Sequence, residues 1–335
     1  MEIRAKVPMR VDLAGGTLDV YPLYLFEGGG LTVNAAVDIF AEVRIATRAD
    51  PRILIHSDDL DLHEEHDSFD ALRPGGSLSL VHYALQYYRP EMGLDIHIRS
   101  EAPQGSGIGA SSALLMALSA ALCELTDREI CYQHIIDTGA NIEAQVIGIP
   151  TGKQDYFPPL YGGISSIWFG IDGWQVECLS EGNGLIDLLN ERLIVSFTGI
   201  PHSSAVTNWA MLKSYIEKQG DTVVRMGEIK EIAHAMRQCL IDQDLPQFYD
   251  LVDREWQLRR GLAEGVTTPD IERIMAGAAQ AGAAASKICG AGGGGCMITI
   301  AEPERVGAVK DALQDAGALI LPACLVAPGL ALDVS

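Results

Sequence analysis

The chain lacks most of what would mark it for an oxidising compartment, a bilayer or a polyanionic partner. Its seven cysteines, at positions 123, 131, 178, 239, 289, 296 and 324, are odd in number and scattered, and no two form a CxxC. Reduced thiols in a cytoplasmic protein are therefore expected, and a zinc site is not. No uninterrupted apolar run is long enough to span a bilayer, and Met1-Glu-Ile-Arg-Ala-Lys6 carries no signal-peptide core. Basic residues are scarce. Lys and Arg number 24 against 45 Asp and Glu, for a net charge of −21, which argues against nucleic acid or an anionic membrane as partner. A phosphate pocket here must be a local exception in a repulsive field, best supplied by backbone dipoles and a metal ion. No repeat period or low-complexity linker is present. At 335 residues the chain has the size of one large domain or two ordinary ones.

What is there centres on Ala102-Pro-Gln-Gly-Ser-Gly-Ile-Gly-Ala-Ser-Ser-Ala113. The stretch follows Leu94-Asp-Ile-His-Ile-Arg99, whose period of two predicts a half-buried strand. It runs into Leu114–Leu122, a run of Ala, Leu and Met that predicts a buried helix. Gly105, Gly107 and Gly109 let the backbone approach a ligand, and Ser111 and Ser112 open the helix. A glycine loop feeding a helix N-terminus is expected to be an anion site, suited to phosphate. Two better-known phosphate fingerprints fail. Gly105–Gly109 is not GxGxxG, and Gly148-Ile-Pro-Thr-Gly-Lys153 is too short for a P-loop.

Thr126-Asp-Arg-Glu129 reads as a capping box that starts a second helix reaching Ile147. On a helical wheel Gln133, His134, Asp137, Asn141 and Gln145 share one face. Cys131, Tyr132, Ile135, Ile136, Ile142, Val146 and Ile147 form the other, with Glu143 in its middle. A carboxylate placed there needs a partner, either a divalent cation or a buried Arg or Lys.

Elsewhere, Met1–Val7 is expected to be a strand broken by Pro8. Arg10-Val-Asp-Leu-Ala-Gly-Gly-Thr-Leu-Asp19 is a strand entering a tight turn, with Arg10 suited to phosphate charge and Asp19 to substrate hydroxyls. Residues 31–37 and 39–47 read as consecutive strands. His56–His66 is expected to be a solvated acidic loop, since its histidine spacing fits no standard metal site. Leu78–Tyr88 reads as a helix stopped by Pro90. Gly148–Tyr156 is a loop carrying Lys153 and Asp155, where an aspartate is ordinarily solvated, and Gly162–Trp168 is a strand. Further strands cover 192–198 and flank the glycines of Lys287–Ile298, and residues 204–282 carry helical patterns.

Three of these segments together resemble the ordered motifs of the GHMP small-molecule kinases: Arg10–Asp19, Pro103–Ala113 and Gly290-Ala-Gly-Gly-Gly-Gly295. With Gly152-Lys-Gln-Asp155 and Phe197–Ser204, the Ala-Gly-Gly form of the first motif looks most like the sugar-kinase branch, which holds heptose-phosphate kinases and the fucokinase kinase domain. The resemblance covers nearly the whole chain. It implies an α+β architecture, with a mixed-sheet N-terminal domain over residues 1–190 and a ferredoxin-like C-terminal domain over 191–335, and with ATP and sugar in the cleft between them.

The resemblance also implies roles. Pro103, Gly105, Ser106, Gly107, Gly109, Ala110, Ser111 and Ser112 would hold ATP, and Ser112 and Glu143 would bind Mg²⁺. Asp155 would accept the sugar hydroxyl proton, with Arg10 as the cation beside the transferring phosphoryl group. Asp19 would bind sugar hydroxyls, and Gly15, Gly16, Gly292 and Gly293 would line the substrate side. Heptose-kinase relatives have an aromatic in the first motif and an Arg before the later Ser pair. Here those places read Thr17-Leu18 and Pro201-His202, which favours a neutral sugar over a phosphorylated one. A non-catalytic sugar and ATP sensor of the same fold, a kinase of another acceptor such as mevalonate or an amino acid, and a homodimeric state all stay open.

Overall fold

The computed structural model describes residues 1–201 and 204–335. His202 and Ser203, in the expected later Ser-pair motif, lie outside the described residues. Two sheets carry the fold. The first holds β1 (Glu2–Ala14), β2 (Gly30–Arg48), β3 (Ile53–Ser57), β4 (Leu62–His66), β5 (Gly93–Ser100), β6 (Ile164–Gly170) and β7 (Gly173–Cys178). The second holds β8 (Leu193–Phe197), β9 (Ala283–Ile288), β10 (Cys296–Ala301) and β11 (Leu319–Ile320), and the chain closes on β12 (Ala331–Val334).

The first sheet runs β12-β1-β2-β5-β3-β4, with β6 and β7 joined through β2. Only the β3–β5 pairing is parallel, so the sheet is mixed. The second sheet is antiparallel in the order β11-β8-β10-β9. Among the described residues, four helices lie between β8 and β9 and one, Val306–Asp315, between β10 and β11. That β-α-β-β-α-β order is the ferredoxin-like arrangement, so the fold is α+β as expected. The boundary expected at 190/191 falls just ahead of β8. However, β12 returns to pair with β1, Ile3 standing opposite Val334, so residues 331–334 complete the N-terminal sheet.

Four local expectations are corrected. Pro8 does not end β1; the strand passes through it with a register shift between Pro8 and Met9, which absorbs the missing N–H. Residues 31–37 and 39–47 are one 19-residue strand. Its first half pairs with β6 and its second with β5. Thr126–Glu129 ends a helix instead of starting one. Asp127 sits in the left-handed region at φ 53°, and Arg128 N–H donates to the Cys123 carbonyl at 2.9 Å, a Schellman closure. The next helix is Tyr132–Ile147. His56–His66 is the β3–β4 hairpin and not a free loop.

β1 explains how charges come to be buried. Its first half alternates between exposed and buried, while from Val7 onward nearly every residue is covered on both faces. The Ala110–Leu125 helix lies across β1 and β2. Leu115, Met116, Leu118 and Leu122 are all fully buried, each contributing about 1.5–3 kcal/mol of burial free energy. This packing fixes the N-terminus of that helix beside Arg10 and Asp155.

Candidate active site

The glycine loop is built as a cradle. Gly105, Gly107 and Gly109 have φ of 68°, 67° and 77°, alternating with the buried Ser106 and Ile108. Its carbonyls are tied down from behind. Cys296 N–H donates to Ser106 at 2.6 Å, and Arg10 N–H donates to Ile108 at 3.1 Å. The Arg10 guanidinium donates to the Gly107 carbonyl at 2.8 Å. Ser106 N–H turns back to the Pro103 carbonyl at 3.1 Å, whereas among the described residues the N–H groups of Gly107, Ile108 and Gly109 have no backbone acceptor and stay free for a ligand. The helix then starts at Ala110 with Gly109 as N-cap and no side-chain cap. Ser111 and Ser112 therefore do not cap it, and its first N–H groups and positive dipole end stay available to an anion.

Two cavities meet at this loop. A cleft of about 320 Å³ is lined by Arg10, Thr17, Asp19, Ser112, Glu143 and Asp155, with the loop along one wall. A second, more apolar cavity of about 310 Å³ includes Leu60, Leu78, Leu80, Pro103, Val146 and Ile147. The two share Gly105, Ala110, Ser111, Glu143 and Ile147. Val146 and Ile147, expected on the apolar core face of their helix, are instead 36% exposed, and they form part of this second wall.

Arg10 and Asp155 form the charged centre of the cleft. Arg10 Nε donates to Asp155 Oδ1 at 2.8 Å, and Nη2 lies 2.6 Å from the same oxygen. Arg10 is buried, and flanking Asp155 and Asp12 hold its pKa above the usual arginine range despite burial. Asp155 sits on the short turn Gln154–Tyr156, ahead of the buried Phe157–Tyr161 helix.

Glu143 accepts hydrogen bonds from Ser112 Oγ at 3.1 Å and from the Tyr156 hydroxyl. Burial pushes its pKa up to about 7, and neighbouring Asp155 pushes the same way. Among the described residues no Arg or Lys pairs with Glu143, so the buried-ion-pair alternative is not realised. Hard oxygen donors facing a phosphate cradle, with a carboxylate short of a counter-charge, fit Mg²⁺.

Asp19 closes the far end. Its Oδ2 accepts Gln154 N–H at 2.9 Å, while its Oδ1 is buried without a hydrogen-bond partner. Burial raises its pKa to about 6. Gln154 Oε1 is likewise unpartnered. The packing leaves no room for a side chain at Gly152, where a Cβ would fall 2.1 Å from Asp19 Oδ2.

Four expected substrate contacts are not brought to the cleft. Gly15 and Gly16 lie behind it, where Gly15 abuts the Leu31 carbonyl and Gly16 abuts Arg259, Asp12 and Gln154. Gly292 and Gly293 turn toward Val266, and Gly290 and Ala291 line the cleft instead. The third glycine segment chiefly braces the second: a Cβ on Gly295 would meet the Ser106 carbonyl at 2.6 Å.

Sequence reading missed the buried charges behind these loops. Lys287 Nζ is 2.6 Å from Asp12 Oδ2 and 3.3 Å from Glu255 Oε2, all fully buried. Glu255 accepts from Arg259 Nε at 2.8 Å, and Arg259 donates to the Gly16 carbonyl at 2.7 Å and to Thr17 Oγ1 at 3.2 Å. Gly290 N–H donates to Asp12 Oδ1 at 2.6 Å. The network fastens the first and third motifs to the Leu245–Arg259 helix. Thr17, a β-branched residue at φ 77°, is held in a strained conformation by it.

A glycine cradle suited to phosphate, beside an Arg–Asp pair and oxygen donors that fit a hard cation, is what phosphoryl transfer asks of a site. The family comparison agrees. Residues 79–163 match GHMP kinases N terminal domain and residues 232–319 match GHMP kinases C terminal, and the chain belongs to the GHMP kinase family. Among its relatives, D-glycero-alpha-D-manno-heptose 7-phosphate kinase of Campylobacter jejuni is 26% identical over 90% of this chain and 90% of that protein. The bifunctional fucokinase/GDP-fucose pyrophosphorylase of Arabidopsis thaliana is 25% identical over 93% of this chain and 31% of that longer protein. The crystal structure of a D-glycero-D-manno-heptose 1-phosphate kinase from Bacteriodes thetaiotaomicron superposes with a TM-score of 0.81, at 25% identity, over 99% of both chains.

Proposed function

We propose that this chain is an ATP-dependent sugar kinase that uses Mg²⁺ and phosphorylates a hydroxyl of a neutral monosaccharide. The observation that carries the reading is the glycine loop as the shared wall of two cavities, one apolar and one polar. A nucleoside fits against Leu78, Val146 and Ile147, its phosphates along Gly105–Ser112, and the acceptor sugar between Asp155 and Asp19.

When bound between Ser112 and Glu143, Mg²⁺ would neutralise phosphate charge. Arg10 stands where charge develops on the transferring group and holds Asp155 by Oδ1, which leaves Oδ2 to orient the acceptor hydroxyl and take its proton. Asp19 Oδ1 and Gln154 Oε1, both unpartnered acceptors, suit further sugar hydroxyls. Positioning and charge neutralisation supply most of the rate in such transfers.

The neutral acceptor is supported by the scarcity of positive charge. Among the described residues Arg10 is the one cationic side chain lining the cleft, and it is already bound to Asp155 and the Gly107 carbonyl. A sugar phosphate would ask for a second. The test is a panel of monosaccharides, heptose phosphates and mevalonate in a coupled ADP-release assay with Mg²⁺. Turnover with a neutral sugar at least tenfold above its phosphorylated form supports the reading. A preference for the phosphorylated form refutes the neutral acceptor, and no stimulation by any sugar refutes the sugar kinase.

A further inference from the structure

The outer face of β3, β4 and β5 carries metal-binding side chains that phosphoryl transfer leaves unused. His63 stands opposite His56 in the β4–β3 pair, and His56 opposite His97 in the β3–β5 pair. The His56 ring lies between the other two, with centroids 4.4 and 4.3 Å away. Asp95 precedes His97 by two residues in β5 and so shares its face.

Asp95 Oδ1 is 3.4 Å from His56 Nε2 and 3.2 Å from His97 Nε2, yet it is buried without a hydrogen-bond partner. Asp95 Oδ1 thus lies near both ring nitrogens without bonding either, and the three ligand atoms all fall within 4.8 Å of one another. The two nitrogen–oxygen spacings match the edge of a coordination tetrahedron, since metal bonds of about 2.0–2.1 Å put ligand atoms about 3.3–3.4 Å apart. An octahedron with the same bonds would bring them to about 2.9 Å.

We propose that His56, Asp95 and His97 form a binding site for a zinc-class divalent cation, with His63 as the residue that orients His56. The two Nδ1 atoms of His56 and His63 are 3.2 Å apart, so one carries the shared proton. When His56 Nδ1–H donates to His63, the His56 Nε2 lone pair is left free, the tautomer a ligating histidine needs; the His56 and His97 rings stack within 7° of parallel, so one ring turns about its χ2 to bring both lone pairs onto one ion. Asp58 adds negative charge nearby. Arg44, opposite His97, opposes a cation, but its side chain is 45% exposed and free to extend into water. The three ligands are each about 30% exposed, which leaves a fourth position to solvent.

A similar group on the other face, Glu64, His66 and His82, differs in kind. There His82 Nε2 and Glu64 Oε2 already form a hydrogen bond at 2.8 Å. The linear spacing of these histidines hides the outer site, because its ligands come from two strands, β3 and β5, that the fold places side by side.

A cation here would clamp β3 to β5. The turn after β3 puts Asp59 and Leu60 in the wall of the apolar cavity, joined by Ser57 and Ile98, next in sequence to His56 and His97. The ion would therefore steady the nucleoside wall from outside. That link rests on the kinase reading, whereas cation binding itself does not.

The test is titration of the chelator-treated full chain with Co²⁺, followed by its visible spectrum, and with Zn²⁺ by calorimetry. The site predicts one tetrahedral cobalt ion per chain, displaced by Zn²⁺, with affinity lowered at least about tenfold in His56→Gln and His97→Gln and unchanged in His66→Gln. Unaltered metal-free melting temperatures would show that the exposed substitutions leave the fold intact. Unchanged affinity in both His56→Gln and His97→Gln overturns the proposal, as does loss in His66→Gln alone, an octahedral spectrum or no binding. These outcomes are independent of phosphoryl transfer, so failure of the kinase reading would not mimic them.

Discussion

Arg10 holds Asp155 by one oxygen. Both Nε and Nη2 reach Oδ1, at 2.8 and 2.6 Å, while the Asp155 side chain stays 26% exposed at the cleft. The fork fixes the carboxylate and leaves its second oxygen for an acceptor hydroxyl, so orientation and charge come from one pair.

Arg10→Lys should therefore retain a positive charge but lose the fork. Turnover is expected to fall by about two orders of magnitude, the usual worth of one positioned donor at a developing charge. ATP affinity should change only a few-fold, because the cradle is backbone. Steady-state kinetics alongside nucleotide calorimetry checks both. A parallel loss of ATP binding would place Arg10 in the nucleotide site.

Asp19→Asn should stabilise the free protein at pH 7–8 while weakening the acceptor site. The Asp19 pKa is raised from 3.8 to about 6, so the folded state binds the extra proton between those values. Stability from this group falls as pH rises from about 4 to 6 and is fully lost above. Removing the charge should then return about 3 kcal/mol at pH 7–8, shrinking toward zero near pH 4. Denaturant melts of both proteins across pH 4–8 test the sign directly.

Glu143→Gln keeps shape and hydrogen bonding to Ser112 while removing charge. By the linkage that applies to Asp19, a carboxyl raised from 4.5 to about 7 costs stability once ionised, so the metal-free variant should melt higher above pH 7 and unchanged near pH 4, whereas the Mg²⁺ concentration for half-maximal turnover should rise at least tenfold. An unchanged Mg²⁺ requirement contradicts the metal assignment.

Lys287→Met leaves Asp12 and Glu255 without their shared cation, both fully buried. A loss of about 3–5 kcal/mol is expected on breaking a buried pair, measurable by chemical denaturation. The loss should be smaller in the double variant Lys287→Met/Glu255→Gln, which removes one stranded charge as well.

The sequence announced the glycine loop because its needs are local: glycines at left-handed positions, a strand before and an apolar helix after. Glu143 was legible for the same reason, as a charge on an otherwise apolar stripe. Tertiary closure was not. The Lys287–Asp12–Glu255–Arg259 network joins residues up to 275 positions apart, and each alone reads as an ordinary charge in a strand or helix. Thr126–Glu129 shows the opposite failure, a local pattern that fits a helix start but is overruled when Asp127 turns left-handed and the preceding helix closes on Arg128. Gly292 and Gly293 lie away from the cleft because glycine content marks close backbone approach without saying to what; Val266 is their neighbour.

The most direct measurement is single-turnover phosphoryl transfer by Asp155→Asn, with the phosphorylated sugar detected by mass spectrometry and ATP binding measured separately. Asn preserves size and one hydrogen-bond acceptor but cannot take the hydroxyl proton. The account predicts transfer slowed by about two to four orders of magnitude, with ATP affinity near that of the unaltered chain. Transfer at a normal rate, or loss of ATP binding together with transfer, would contradict it.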